Sequence, residues 1–251
     1  MLIFSLHDAV SLVGSGATLL AKALMARLVP SDDLVKLTIC LIGTQYRARH
    51  IGTTKGNKHG EEEAHQLAKE TAVAALSTHF RMLCEVAMSE LFKCETTDVG
   101  ITPADDNDGS NRGGTQNPSN DANTDGLAPQ LSSVLRRMLP SLRIMSKWLK
   151  CHVEYLRRHV DRSKLGEINR LWATYATFMI KVAEMFPIYN LPSLMGCLEE
   201  DIELRGFSPL TRTSTFSKRF QASDSDEEHL MRVSDLSVEA VLVVQQAVSP
   251  P

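Results

Sequence analysis

Apolar residues recur at steps of three and four along six stretches of the chain, the spacing that gathers side chains on one face of a helix. Between Ser5 and Leu28 the series Leu6, Val10, Val13, Ala17, Leu20, Leu24 and Leu28 makes such a face in spite of Gly14 and Gly16, and Pro30 ends it. Ser31-Asp32-Asp33 then offers capping side chains to a second helix, with Leu34, Leu37, Leu41 and Tyr46 expected to face inward. The run from His50 to Gly60 holds three glycines and no apolar period, so it reads as a loop. A third helix opens on Glu61-Glu62-Glu63, suited to a positive helix N-terminus, and carries apolar residues on two adjoining sides: Leu67, Ala75, Met82 and Val86, then Leu76, Phe80, Leu83, Ala87 and Leu91. A stripe that wide needs neighbours on more than one side.

From Thr96 to Pro129 the chain turns to Asp, Asn, Gly, Thr and Ser, too polar to offset the entropy of ordering it, and is expected to be disordered. Beyond it Val134, Leu135, Met138, Leu142, Met145, Leu149 and Leu156 predict a long helix that restarts or kinks at Pro140. Ile168, Leu171, Trp172, Tyr175, Phe178, Val182 and Phe186 predict its antiparallel partner, closed by Pro187. Residues 188–220 look irregular. A last helix starts near Glu227, where Ser225-x-x-Glu228 has the form of a capping box. The expectation is an all-α, solenoid-like fold of antiparallel helical hairpins. Residues 1–95 and 131–247 form two blocks packed as one domain, joined by a linker over 96–130.

Composition agrees with helices: 14 Gly, 10 Pro and 6% aromatics are unlike a β-sandwich, and 43% hydrophobic residues suffice for a core. With 27 basic against 30 acidic residues the net charge is −3, so any attraction for nucleic acid must be local. Five cysteines without C-x-x-C spacing read as reduced core residues, and no cofactor is expected. The apolar first thirty residues lack a basic start and are broken by His7, Asp8, Lys22 and Arg27, unlike a signal peptide. No stretch reaches the ~20 apolar residues of a membrane span, so no membrane partner is expected.

The sharpest local charge is a basic cluster of Arg136, Arg137, Arg143, Lys147, Lys150, Arg157, Arg158, Arg162, Lys164 and Arg170, opposed by Glu154, Asp161 and Glu167: ten cations against three carboxylates. Such a face suits phosphates, with Tyr155 to stack on a base, although cations of this kind also serve as a solvated helix face. His50, His59 and His65 lack the spacing of metal ligands, and His79 and His152 read as packing residues. There is no nucleophile elbow and no phosphate loop after a strand, so no enzyme is expected. Ser223 and Ser225, in an acidic run, have the form of kinase sites; for Ser225 the helix cap is the alternative.

The string Leu198-Glu199-Glu200-Asp201-Ile202-Glu203-Leu204-Arg205-Gly206-Phe207-Ser208-Pro209-Leu210 resembles the PED-x-x-LRGF-x-PL signature of the ever-shorter-telomeres and SMG family. Leu139-Pro140-Ser141-Leu142-Arg143 through Trp148-Leu149 resembles the same family's LP…WL helix, and the overall order looks closest to the SMG-five branch. The resemblance implies a helical-hairpin domain in telomerase regulators and adaptors of nonsense-mediated mRNA decay, working in cytoplasm and nucleus. It implies partners in the decay machinery, an RNA helicase and other SMG adaptors, and contact with nucleic acid in the telomerase members. The family's phosphoserine-binding and nuclease-like domains would lie before Met1 and after Pro251, so the chain is expected to be the helical middle of a longer protein.

In the motif, Gly206 should take a conformation closed to other residues, Leu204, Phe207, Leu210 and Trp148 should anchor the fold, and Arg205 should reach an internal carboxylate or backbone carbonyls. The function expected is a non-catalytic adaptor or scaffold in nonsense-mediated decay. The alternative is a single-stranded RNA- or DNA-binding module of a telomerase-associated protein.

Overall fold

A computed structural model describes residues 6–50, 59–97, 127–160, 166–193, 196–210 and 225–248. These hold α1 (Leu6–Met25), α2 (Ser31–His50), α3 (His59–Thr97), α4 (Ser133–Val160), α5 (Glu167–Met185), α6 (Glu199–Glu203) and α7 (Ser225–Val248). Three single 3-10 turns, at Ala128–Gln130, Ile188–Asn190 and Ser208–Leu210, link them, and there is no β-strand among the described residues. The interior of the expected linker lies outside the described residues, as do Arg162, Lys164, Ser223 and the side chain of Ser225.

The helix α4 is the centre of the fold. Every residue from Met138 to Leu149 is buried, because α2, α3 and α7 cover it on different sides. Pro140 does not start the helix afresh, one of the two outcomes the sequence suggested; it lies inside α4, which is continuous over 28 residues. Ser132 fixes its start: the hydroxyl accepts the Leu135 amide at 3.1 Å and donates to Glu90 on α3 at 2.7 Å.

Contact pairs at both ends give the helix directions. Ser31 reaches Arg137 and Arg49 covers Tyr155, so α2 and α4 run the same way. The pairs Arg136–Asp226, Arg143–Asp235 and Lys147–Glu239 keep a near-constant offset of 90 to 92 residues, so α7 also runs with α4. Thr78 with Glu167 and Phe92 with Lys181 put α5 alongside α3 in a common direction. The hairpin partner expected for α4 therefore packs chiefly on α3, and reaches α4 through Tyr175, whose hydroxyl lies 2.6 Å from that of Ser146.

The wide stripe of α3 has the neighbours it requires, since α1, α2, α4 and α5 all touch it. One continuous apolar cluster takes in Leu34 and Phe80 from before the linker and Trp148, Phe178 and Leu236 from after it. On α2 the buried face is Leu34, Val35, Thr38, Ile42 and Gln45, rotated from the expected one, and Leu37 is exposed. The linker boundary also shifts: Leu127 and Ala128 are buried at the foot of α4, and Arg136 holds that turn by donating to the carbonyls of Leu131 and Ala128. Cys84 and Cys197 are buried, as expected, and not joined in a disulfide, whereas Cys40 is exposed.

Candidate functional site

A helix enclosed on all sides must find partners for its polar residues, and α4 carries two cations into the interior. Arg143 is 0% exposed and Lys147 1%. An unpaired charge there would cost several kcal/mol, of order 5 or more, so the acids around it decide whether the fold is stable.

Arg143 makes four hydrogen bonds to carboxylates. Its Nε donates to Asp235 on α7 at 2.5 Å, Nη1 to Glu200 at 3.1 Å and to Asp201 at 2.8 Å, and Nη2 to Asp201 at 2.7 Å. Glu200 in turn accepts two bonds from Arg232, at 3.1 and 3.0 Å, and Arg232 also reaches Glu228 at 2.9 Å. Lys147 pairs with Asp235 at 2.9 Å and Glu239 at 3.1 Å, and Lys150 closes on Glu239 at 2.6 Å. Five carboxylates and four cations thus join α4, α6 and α7. Burial opposes the Arg143 charge, but Asp235, Glu200 and Asp201 outweigh it and hold its pKa above the ordinary value. Burial likewise opposes the Glu200 and Asp235 carboxylates, yet Arg143, with Arg232 on the one and Lys147 on the other, holds both pKa values below the ordinary range.

The motif segment hangs from this cluster. Asp201 accepts the Leu198 amide at 3.2 Å while gripped by Arg143, which fixes the start of α6. Gly206 has φ +78°, the left-handed conformation that ends α6, as its sequence position suggested. The chain then folds back through Phe207 N–H to the Leu204 carbonyl and Leu210 N–H to the Phe207 carbonyl, both 3.0 Å. Leu204, Leu210 and Trp148 are buried, and the Phe207 ring lies against α2 at Gly43. Of the two roles expected for Arg205, the internal carboxylate is not the one it takes: Arg205 is exposed, and Glu200 and Asp201 are held by Arg143 and Arg232.

The expected basic face is corrected more broadly. Arg143, Lys147 and Lys150 point into α6 and α7 rather than toward solvent. Arg136 is paired with Asp226 and Arg137 donates to the Arg27 carbonyl at 2.8 Å. Only Arg157 and Arg158, both beside Glu154, remain exposed on α4 among the described candidates. The acids that neutralise the stripe lie about sixty to ninety residues downstream and were not assigned a role from the sequence. The signal was present: Arg143 and Lys147 are spaced by four, and so are their partners Asp235 and Glu239. An open cleft of about 270 Å³ beside the cluster is lined by Ser31, Asp32, Arg137, Glu203 and Arg232, among others.

A second grouping also went unread in the sequence. At the ends of α2 and α4 the Arg49 guanidinium lies 3.8 Å from the Tyr155 ring centroid, and the Tyr46 and His50 rings are 4.1 Å apart. No group of three or more metal-ligating side chains occurs among the described residues, and none of the described helices is long and apolar enough to cross a membrane.

The signature segment of this all-helical domain is thus clamped by a buried ionic cluster. The family model described as the Est1 DNA/RNA binding domain matches residues 11–214, from α1 through the motif segment, and the chain belongs to that family. Helix α7, with Asp235 and Glu239, lies beyond the matched range. Neither the curated proteins nor the solved structures include a match to this chain.

Proposed function

We propose that this chain is a non-catalytic helical scaffold of the Est1 and SMG kind, acting as an adaptor in nonsense-mediated mRNA decay in cytoplasm and nucleus. The observation that carries this reading is the Arg143 cluster. Its titratable groups are paired with one another, and Arg143, Lys147, Glu200 and Asp201 at its centre are buried. What such a network can do is hold α6 and the following turn at a fixed angle to α4 and α7. Buried polar groups of this kind specify geometry more than they add stability, and fixed geometry is what an adaptor surface requires.

The partners this reading names are an RNA helicase and other SMG-type adaptors. The test is biolayer interferometry with the immobilised full chain against purified decay helicase, phosphorylated and unphosphorylated, and against purified SMG adaptors. Binding at micromolar strength or tighter, changing little with salt, supports the adaptor reading; no binding to any of them overturns it.

The second reading, a single-stranded RNA- or DNA-binding module of a telomerase-associated protein, is favoured by a different observation. The arginine–tyrosine stack at the ends of α2 and α4 is a basic and aromatic grouping that the buried cluster does not consume. The description of the family as DNA/RNA binding supports it as well.

A further inference from the structure

We propose that the adjoining C-terminal turns of α2 and α4 bind single-stranded nucleic acid, with Arg49 on Tyr155 and His50 on Tyr46 offering faces to bases and Arg47 and Arg158 taking phosphates. This rests on the nucleic-acid reading above and gives it a location different from the stripe over 136–150.

The parallel course of α2 and α4 brings their last turns to the same end of the fold. Two side-chain pairs there bring planar groups close together, the Tyr46 and His50 rings tilted by 31° to one another. The Arg49 guanidinium covers the half-buried Tyr155 ring at 3.8 Å, and the His50 ring leans on Tyr46 at 4.1 Å, held by a 2.7 Å bond from its Nδ1–H to the Tyr46 carbonyl. Bases stack on arginine planes and on rings of this kind without regard to sequence. Behind Tyr155, His152 and Trp148 continue the aromatic column into the core, with centroids 6.5 and then 5.1 Å apart, so the platform has a rigid backing.

The charges around it differ from those further up α4. Arg47 is exposed and makes no ion pair among the described residues, and Arg158 is 73% exposed. Glu154 is the carboxylate that meets both Arg157 and Arg158. Cations in a last helical turn also offset the negative end of the helix dipole. A guanidinium serving only that purpose would turn to the terminal carbonyls, whereas Arg49 lies across the neighbouring helix on Tyr155. The 2′-hydroxyl has no dedicated partner in this arrangement, so RNA and DNA should bind alike.

The experiment is fluorescence anisotropy of the full chain with a labelled twelve-nucleotide oligouridine and its oligothymidine counterpart, between about 50 and 200 mM salt. Both should bind with Kd values within about threefold, weakening as salt rises. Arg47→Glu with Arg158→Glu should weaken binding roughly tenfold or more and reduce the salt slope by about two. Arg49→Lys keeps the charge but not the plane, and should weaken binding roughly fivefold with the slope unchanged. Lys36→Glu, at the far end of α2, should change neither, and circular dichroism should report the same helicity for all variants. If the wild-type chain binds and the variants bind equally well, the location is wrong and the nucleic-acid reading stands. If the wild-type chain binds neither oligonucleotide, both fall and the adaptor reading is untouched. If the variants lose helicase binding but not oligonucleotide binding, the surface is a protein dock and the proposal is overturned.

Discussion

Arg143 of α4 and Asp201 of α6 meet through two parallel hydrogen bonds of 2.8 and 2.7 Å, at a point where neither side chain reaches solvent. The pair ties the central helix to the start of the family's signature segment. Asp235 and Glu200 complete the shell of Arg143, so removing the arginine leaves buried Asp201 without a cation and leaves Glu200 to Arg232 and Asp235 to Lys147.

Arg143→Met should therefore destabilise the fold by about 3–5 kcal/mol, although the methionine fits an apolar interior, because buried Asp201 loses its counterion and Glu200 and Asp235 each lose one of two. Asp201→Asn should cost less, since Glu200 and Asp235 still neutralise the arginine. Urea unfolding of the three proteins measures both changes; equal stability of wild type and Arg143→Met would contradict the pairing.

Acid should weaken the fold in a window set by His79. Burial lowers its pKa from 6.5 to about 4, while its Nε2 sits 3.0 Å from the Thr38 hydroxyl. Below pH 6.5 the unfolded chain takes up a proton that the folded chain refuses until about pH 4. Stability is therefore full above that window, falls as pH drops through it, and loses up to roughly 3 kcal/mol from this residue. His229, half-buried and lowered to about 4 by burial and by Arg232 and Arg136, titrates in the same window. His79→Gln should remove the His79 share of the loss and leave the rest, as read from urea midpoints between pH 7 and pH 4.5, a range of about 2.5 units.

Two glycines should respond to alanine with opposite signs. Neither site crowds an added Cβ, so backbone conformation decides. Gly206→Ala forces a side chain into the left-handed region at φ +78° and should cost about 1–2 kcal/mol. Gly16→Ala, in the body of α1, should stabilise by about 0.5–1 kcal/mol. Thermal unfolding of the two variants distinguishes them by the direction of the Tm change.

The helices were legible because their apolar periods are long, as in the Leu76, Phe80, Leu83, Ala87 and Leu91 series that α3 buries. Pro140 does not restart the helix, because a buried helix with neighbours on several sides tolerates one missing amide, which sequence alone does not reveal. The basic stripe misled for a related reason. Charge is visible residue by residue, but whether Arg143 and Lys147 face solvent or Asp235 and Glu239 depends on a pairing across about ninety residues. Arg49 and Tyr155 were unreadable as a pair for the same reason: the parallel course of α2 and α4 that unites them is tertiary.

The central claim is that the cations of α4 are internal partners of α7. A double-mutant cycle over Lys147→Met and Glu239→Gln, read by urea unfolding, tests it most directly. The account predicts that the two changes are strongly non-additive, with a coupling of about 1 kcal/mol or more. Losses that simply add, to within roughly 0.3–0.5 kcal/mol, would mean that the two side chains do not meet and would contradict it.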